Sequence, residues 1–174
     1  MTRNFDWEYY REVIEPKIST LTKKQQVELS FACVCRISKY VSEFEENTIV
    51  VNLSLNLIKK WLSGLANITQ KEIDSVQEKL LAIESHASDM YEETDHTHAV
   101  ISASPDGIKA ARAAYAASAL NAAIYNIYRT DFFGETVAPS VWCCEAVALS
   151  WAATLGEPIE KEWQLRKLEE LMSN

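Results

Sequence analysis

The sequence predicts an all-α, single-domain bundle of about six or seven helices. Three observations carry that expectation. Only 4 Gly and 4 Pro occur in 174 residues, too few turn-formers for a barrel or sandwich that must reverse every ten residues or so. These eight breakers are grouped: Pro16, Gly64, Pro105 with Gly107, Gly134 with Pro139, and Gly156 with Pro158 leave long uninterrupted segments. Within those segments apolar residues recur at helical spacing. A composition of 48% hydrophobic and 24% charged residues is that of an ordinary globular domain over 1–174, with no linker, repeat or low-complexity tract.

Thr22-x-x-Gln25 is a capping box, in which two side chains satisfy helix-start N–H groups reciprocally. It opens a helix with an apolar stripe of Val27, Phe31, Val34, Val41 and Phe44. From Thr48 the residues Ile49, Val51, Leu53, Leu55 and Leu57 alternate as in a strand, whereas Val50, Leu53, Leu57, Trp61 and Leu65 fit a helix. A lone strand would leave its backbone unpaired, so a helix is expected. Thr69-x-x-Glu72 is a second capping box, followed by Ile73, Val76, Leu80, Ile83, Ala87 and Met90 in three-four alternation. Ser104-Pro105-Asp106 sets a cap residue before proline at the first helical position. The alanine-rich run it opens, to Tyr128, holds Ala110, Ala111, Ala113, Ala114, Ala116 and Ala117, small enough to admit neighbouring backbones closely; this predicts the central helix. Ser140 to Leu155 repeats the style and ends at Gly156. Pro158 then starts an acidic C-terminal helix with Ile159, Trp163, Leu168 and Met172 as its apolar positions.

A net charge of -8 opposes a nonspecific grip on nucleic acid or on an anionic membrane, so neither is expected as a partner. The stretch Val137 to Leu155 carries Pro139 and Glu145 and is poor membrane-spanning material. The first residues lack the apolar run of a secretory signal. Cys33, Cys35, Cys143 and Cys144 have no C-x-x-C spacing. Reduced core thiols and a cytoplasmic address are therefore expected. No glycine-rich phosphate loop, nucleophile elbow or Cys-His pairing occurs, so no catalytic residue and no cofactor is expected.

Charge distribution says more than net charge. Between Leu80 and Ile108 there is no Lys or Arg, while Glu84, Asp89, Glu92, Glu93, Asp95 and Asp106 occur. Glu43, Glu45 and Glu46 close the preceding capped helix. If the two groups converge they form an anionic surface for a cationic partner; the plainer reading is an acidic surface that serves solubility. All three histidines, His86, His96 and His98, lie in the same stretch. His86, Asp89 and Glu93 share a helix face and, with His96, could hold a divalent ion. No H-x-x-x-H pair fixes the ligand geometry, so a metal site, with metal-dependent hydrolysis as its consequence, stands as the alternative. Glu145, the one charge between Val137 and Leu155, is either solvated or paired in the core with Arg112 or Arg129. Arg36 is expected to be structural. A homo-oligomer joined through the alanine-rich face is a third reading.

Phe31-Ala32-Cys33-Val34-Cys35-Arg36, followed by Leu57-Ile58-Lys59-Lys60-Trp61, resembles the all-helical YjaG-like bacterial family of unknown function. Ala110-Ala111-Arg112-Ala113-Ala114-Tyr115, after the helix end Trp61-x-x-Gly64, looks like helical immunity proteins encoded beside polymorphic toxins. Together these likenesses span Thr22 to Arg129. They imply a non-enzymatic helical binding protein that neutralises a cognate basic toxin through its acidic surface.

Overall fold

The structure, a computed structural model, describes residues 7–45, 48–64, 67–94, 105–128, 131–132 and 135–173. At the N-terminus α1 (Trp7–Tyr9), a π-helical turn (Tyr10–Ile14) and α2 (Glu15–Ile18) run on as one rod. Six longer helices follow: α3 (Lys23–Glu45), α4 (Ile49–Ser63), α5 (Gln70–Thr94), α6 (Pro105–Tyr128), α7 (Pro139–Ala153) and α8 (Pro158–Met172). Among the described residues the fold is thus an all-helical bundle of seven rods. Between α6 and α7 a two-residue ladder pairs β1 (Asp131–Phe132) with β2 (Glu135–Thr136) antiparallel; it tightens a turn and adds no layer.

Local chemistry sets the boundaries. Both capping boxes form: Thr22 N–H donates to Gln25 Oε1 at 2.9 Å and Gln25 N–H to Thr22 Oγ1 at 3.3 Å. Thr69 and Glu72 repeat the exchange at 2.9 and 3.3 Å. The alternating segment after Thr48 is helical, as expected. It stops at Gly64, whose φ of 63° is a left-handed cap that glycine adopts without a Cβ clash. Pro105, Pro139 and Pro158 each open a helix, where a missing N–H loses no bond. The expected cap Ser104 and the apolar position Leu65 lie outside the described residues.

α6 is the central helix, packed against α3, α4, α5 and α7. Its alanines, among them Ala110, Ala113, Ala116, Ala117 and Ala123, are buried. That enclosure turns these alanines into the bundle, while Ala114 is half-buried and Tyr115 exposed on the outer side of the helix. Two apolar clusters form the core. One, from α3 to α7, centres on Ile58, Leu80, Leu120 and Ile124; the other joins the N-terminal rod, α3, α7 and α8 around Tyr10, Ile18, Leu29 and Leu168. Each fully buried Leu or Ile contributes about 1.5–3 kcal/mol. α3 and α7 feed both clusters and so couple them.

α8 departs from expectation. Its inward residues are Glu160, Gln164, Leu168 and Leu171, and Ile159 is 72% exposed. Polar side chains can face a core when they are hydrogen-bonded, and these are, save for Glu160 Oε1, which is buried without a hydrogen-bond partner among the described residues. Gln164 Nε2 donates to Val147 O at 3.0 Å, and Tyr10 OH donates to Gln164 Oε1 at 2.8 Å. Glu160 accepts from Arg36 Nε at 2.8 Å, giving Arg36 its structural role. No helix among the described residues is long and apolar enough to cross a membrane.

Candidate functional site

Helix directions decide what meets at each end of the bundle. Gln77 near the start of α5 bonds Asn121 near the end of α6 (2.8 Å), so these helices are antiparallel. The Phe44 ring lies 5.4 Å from the His86 ring, which brings the last turns of α3 beside the second half of α5. Arg36 reaches Glu160, and Arg112 reaches Glu157 at 3.4 Å. The ends of α3 and α5 therefore share one pole of the bundle with the start of α6, while the start of α8 lies beside the middle of α3.

At that pole the Phe44–His86 contact sets the last turn of α3, with Glu43, beside the part of α5 that carries Glu84 and Asp89. Glu43 and Asp89 are exposed and Glu84 is half-buried. None of the three forms an ion pair among the described residues. Glu45 closes α3 and Glu92 and Glu93 sit in the last turn of α5, but their side chains lie outside those described. Glu46, Asp95, His96 and His98 lie outside the described residues altogether. The nearby cations are engaged: Arg112 binds Glu157, with its guanidinium 5.0 Å from the Tyr40 ring, and Lys39 Nζ lies 5.1 Å from the same ring. Neither α3 nor α5 has a basic residue in its last turn. Carboxylates there oppose the negative end of the helix dipole, at about 0.3–1 kcal/mol each when exposed at low salt.

Of the metal alternative's four residues the side chains of two are described: His86 is exposed, its ring tilted 58° to that of Phe44, and Asp89 is exposed one turn on. Among the described residues no group of three or more His, Cys, Asp or Glu side chains could hold a metal ion; Glu93 and His96 fall outside that search.

Among the described residues the carboxylate buried in the core is Glu160, not Glu145. Glu145 is half-buried on α7 beside Arg11 and Glu15 of the N-terminal rod. Burial raises its pKa, Arg11 opposes the rise and Glu15 adds to it. Arg112 pairs with Glu157 and not with Glu145, which removes one of the two core partners open to Glu145; the other, Arg129, lies outside the described residues. A row of Glu160, Gln164, Leu168 and Leu171 at helical spacing was the available signal for the buried acid; its two polar members hid it. Cys33, Cys143 and Cys144 are buried as expected, while Cys35 is exposed. Burial pushes the thiols of Cys33 and Cys143 far up and that of Cys144 to about 12. Buried thiols of this kind are poor nucleophiles.

One feature escaped the sequence reading. Between α4 and α5 opens a groove of about 390 Å³, floored by Leu57 and Val76 and flanked by Leu53. Comparison of the chain with protein-family models, with curated proteins and with solved structures gives no match.

Proposed function

We propose that the chain is a non-enzymatic binding protein whose acidic pole docks a basic partner, the resemblance to helical immunity proteins making that partner a cognate toxin. The observation that carries this reading is the contact of Phe44 with His86, which sets Glu43 on the same end of the bundle as Glu84 and Asp89, none of them in an ion pair among the described residues. A carboxylate at a helix C-terminus lowers stability, and a partner's lysines and arginines would supply the missing counter-charge. Such a field speeds encounter and disfavours acidic competitors.

The test uses the product of the adjacent gene as partner. Association rates are measured at low and at physiological ionic strength for the natural chain and for Glu43→Lys with Asp89→Lys. The reading expects a steep loss of rate at low salt that fades as salt screens the field. Equal rates at low salt remove the acidic pole from the account. A rise in thermal stability on adding Zn or Mn, lost in Asp89→Asn, would favour the metal reading instead.

A further inference from the structure

We propose that the α4–α5 groove is a second docking site, shaped for an amphipathic helix of a protein partner that carries carboxylates in its first turn and basic residues in its last. This goes beyond the acidic pole, because it assigns a surface that runs from that pole to the opposite end.

The first argument is the pattern on α4. Ile49 is 63% and Leu53 39% exposed, and Asn56 and Lys60 continue the same row. Spacings of four, three and four make a seam of the kind that packs against another helix. The buried face of α4, with Val50, Ser54, Leu57 and Ile58, already serves the core, so the seam is a second one. Beside it the groove supplies an apolar floor in Leu57 and Val76, with Asn56 and Ser75 on its rims able to bond polar groups. From Ile49 to Lys60 the seam is about 16 Å long, about three helical turns.

The second argument is charge. Lys60 and Lys71 stand at one end of the groove with Glu72. Glu72 is already engaged, accepting from Lys60 Nζ and from both the N–H and hydroxyl of Thr69, each at 2.9 Å. Lys71 forms no ion pair among the described residues. This end therefore favours an anionic turn. The seam's other end begins at Ile49, four residues after α3 closes at Glu45, and so lies on the side of the acidic pole, whose Glu43 and Asp89 favour a cationic turn. An occupant is thus oriented, parallel to α5, with acid in its first turn and base in its last, the order its own dipole prefers. A second copy of α4 does not meet this demand: α4 contains no Asp or Glu, so antiparallel pairing would set Lys60 against the partner's Ile49.

The experiment titrates the isotope-labelled full chain with a designed helical peptide. The peptide carries Glu in the first turn, Leu at i, i+4 and i+7, and Lys in the last turn; a control reverses the charges end for end. Amide shifts at Leu53, Asn56 and Ser75 are expected, with about tenfold weaker binding of the control. Leu53→Asp should abolish the shifts without changing the circular dichroism of the helices, and Lys71→Glu should favour the control. Shifts confined elsewhere, binding of neither peptide, equal affinities, or shifts reproduced by a simple fatty acid anion but not by the peptide overturn the proposal. A peptide with neutral residues in its last turn separates the two readings. If its binding still depends on Lys71, the groove stands even where the acidic pole fails.

Discussion

Arg36 Nε lies 2.8 Å from Glu160 Oε2, and the same guanidinium sits 4.2 Å above the Trp163 ring. The contact joins the middle of α3 to the first turn of α8. The Glu160 side chain is only 5% exposed, and a carboxylate so placed needs its counter-charge. Arg36→Ala is expected to cost about 3 kcal/mol, because it leaves a charge uncompensated in the core. Arg36→Lys keeps the charge and loses the planar stack, at about 1 kcal/mol. Arg36→Met with Glu160→Met together should recover most of the loss. Urea unfolding of these chains, with the single variants Arg36→Met and Glu160→Met to close the cycle, measures this; a double loss equal to the sum of the two single Met losses would show that the pair is not coupled.

Gly64 gives a cleaner backbone measurement. A Cβ there would meet nothing within 4 Å, so no clash confuses the result. The φ of 63° alone penalises a side chain, and Gly64→Ala should lower stability by about 1 kcal/mol. Gly64→Asn should fall between the two, since asparagine tolerates this region. An alanine variant as stable as the parent would contradict the left-handed cap.

Two carboxylates should respond to pH in opposite directions. Bonds from Thr69 and Lys60 hold Glu72 down to about 2, from an ordinary 4.5. Its contribution is present above about 4.5 and lost as pH falls toward 2. Glu72→Gln is therefore less stable than the parent at neutral pH, and the gap closes in acid. Glu145 is raised, chiefly by burial, so its contribution is present below 4.5 and lost as pH rises through its folded value. Glu145→Gln should be more stable than the parent at neutral pH and equal to it in acid. Thermal melts across the acid range settle both signs.

The contrast between these two residues shows what the sequence makes visible. Glu72 is fixed chiefly by contacts three residues apart, and Thr69-x-x-Glu72 spells out cap and helix start in local code; only its charge partner, Lys60, comes from the neighbouring helix. The breakers and the alanine run are local signals too, and they placed the helices and the central one correctly. Glu145 and Glu160 owe their surroundings to residues more than a hundred positions away, Arg11 and Arg36, and no periodicity encodes that. α8 misled for the same reason: Ile159 and Met172 are apolar yet exposed, because Gln164 finds Tyr10 and Val147 across the bundle. The groove depends on how far α4 and α5 diverge after Gly64, which is a tertiary outcome.

Thiol reactivity should single out Cys35. It is exposed, while Cys33, Cys143 and Cys144 are buried and hold their protons well above neutral pH. Native protein treated with iodoacetamide at mildly alkaline pH should gain one label, slowly, since partial burial raises Cys35 as well. Cys35→Ser should gain none, and denatured protein all four, read by intact mass. Rapid labelling at a second site in the folded chain would mean that the cluster around Tyr10 opens readily.

Glu43 offers a way to tell a binding surface from mere solubility. It lies in the last turn of α3, which has no basic residue there, so its charge opposes the helix dipole. Glu43→Lys removes that opposition and replaces it with a favourable charge, and should raise stability by about 0.5–1 kcal/mol at low salt. An acidic residue kept only for solubility would give the same gain with no functional cost. If the acidic pole docks a basic partner, the stabilised chain should also associate more slowly, and both effects should shrink together as salt is added. Melting temperature and association rate measured on the same preparation provide the comparison. A more stable chain with an unchanged rate would mean that Glu43 serves solubility alone.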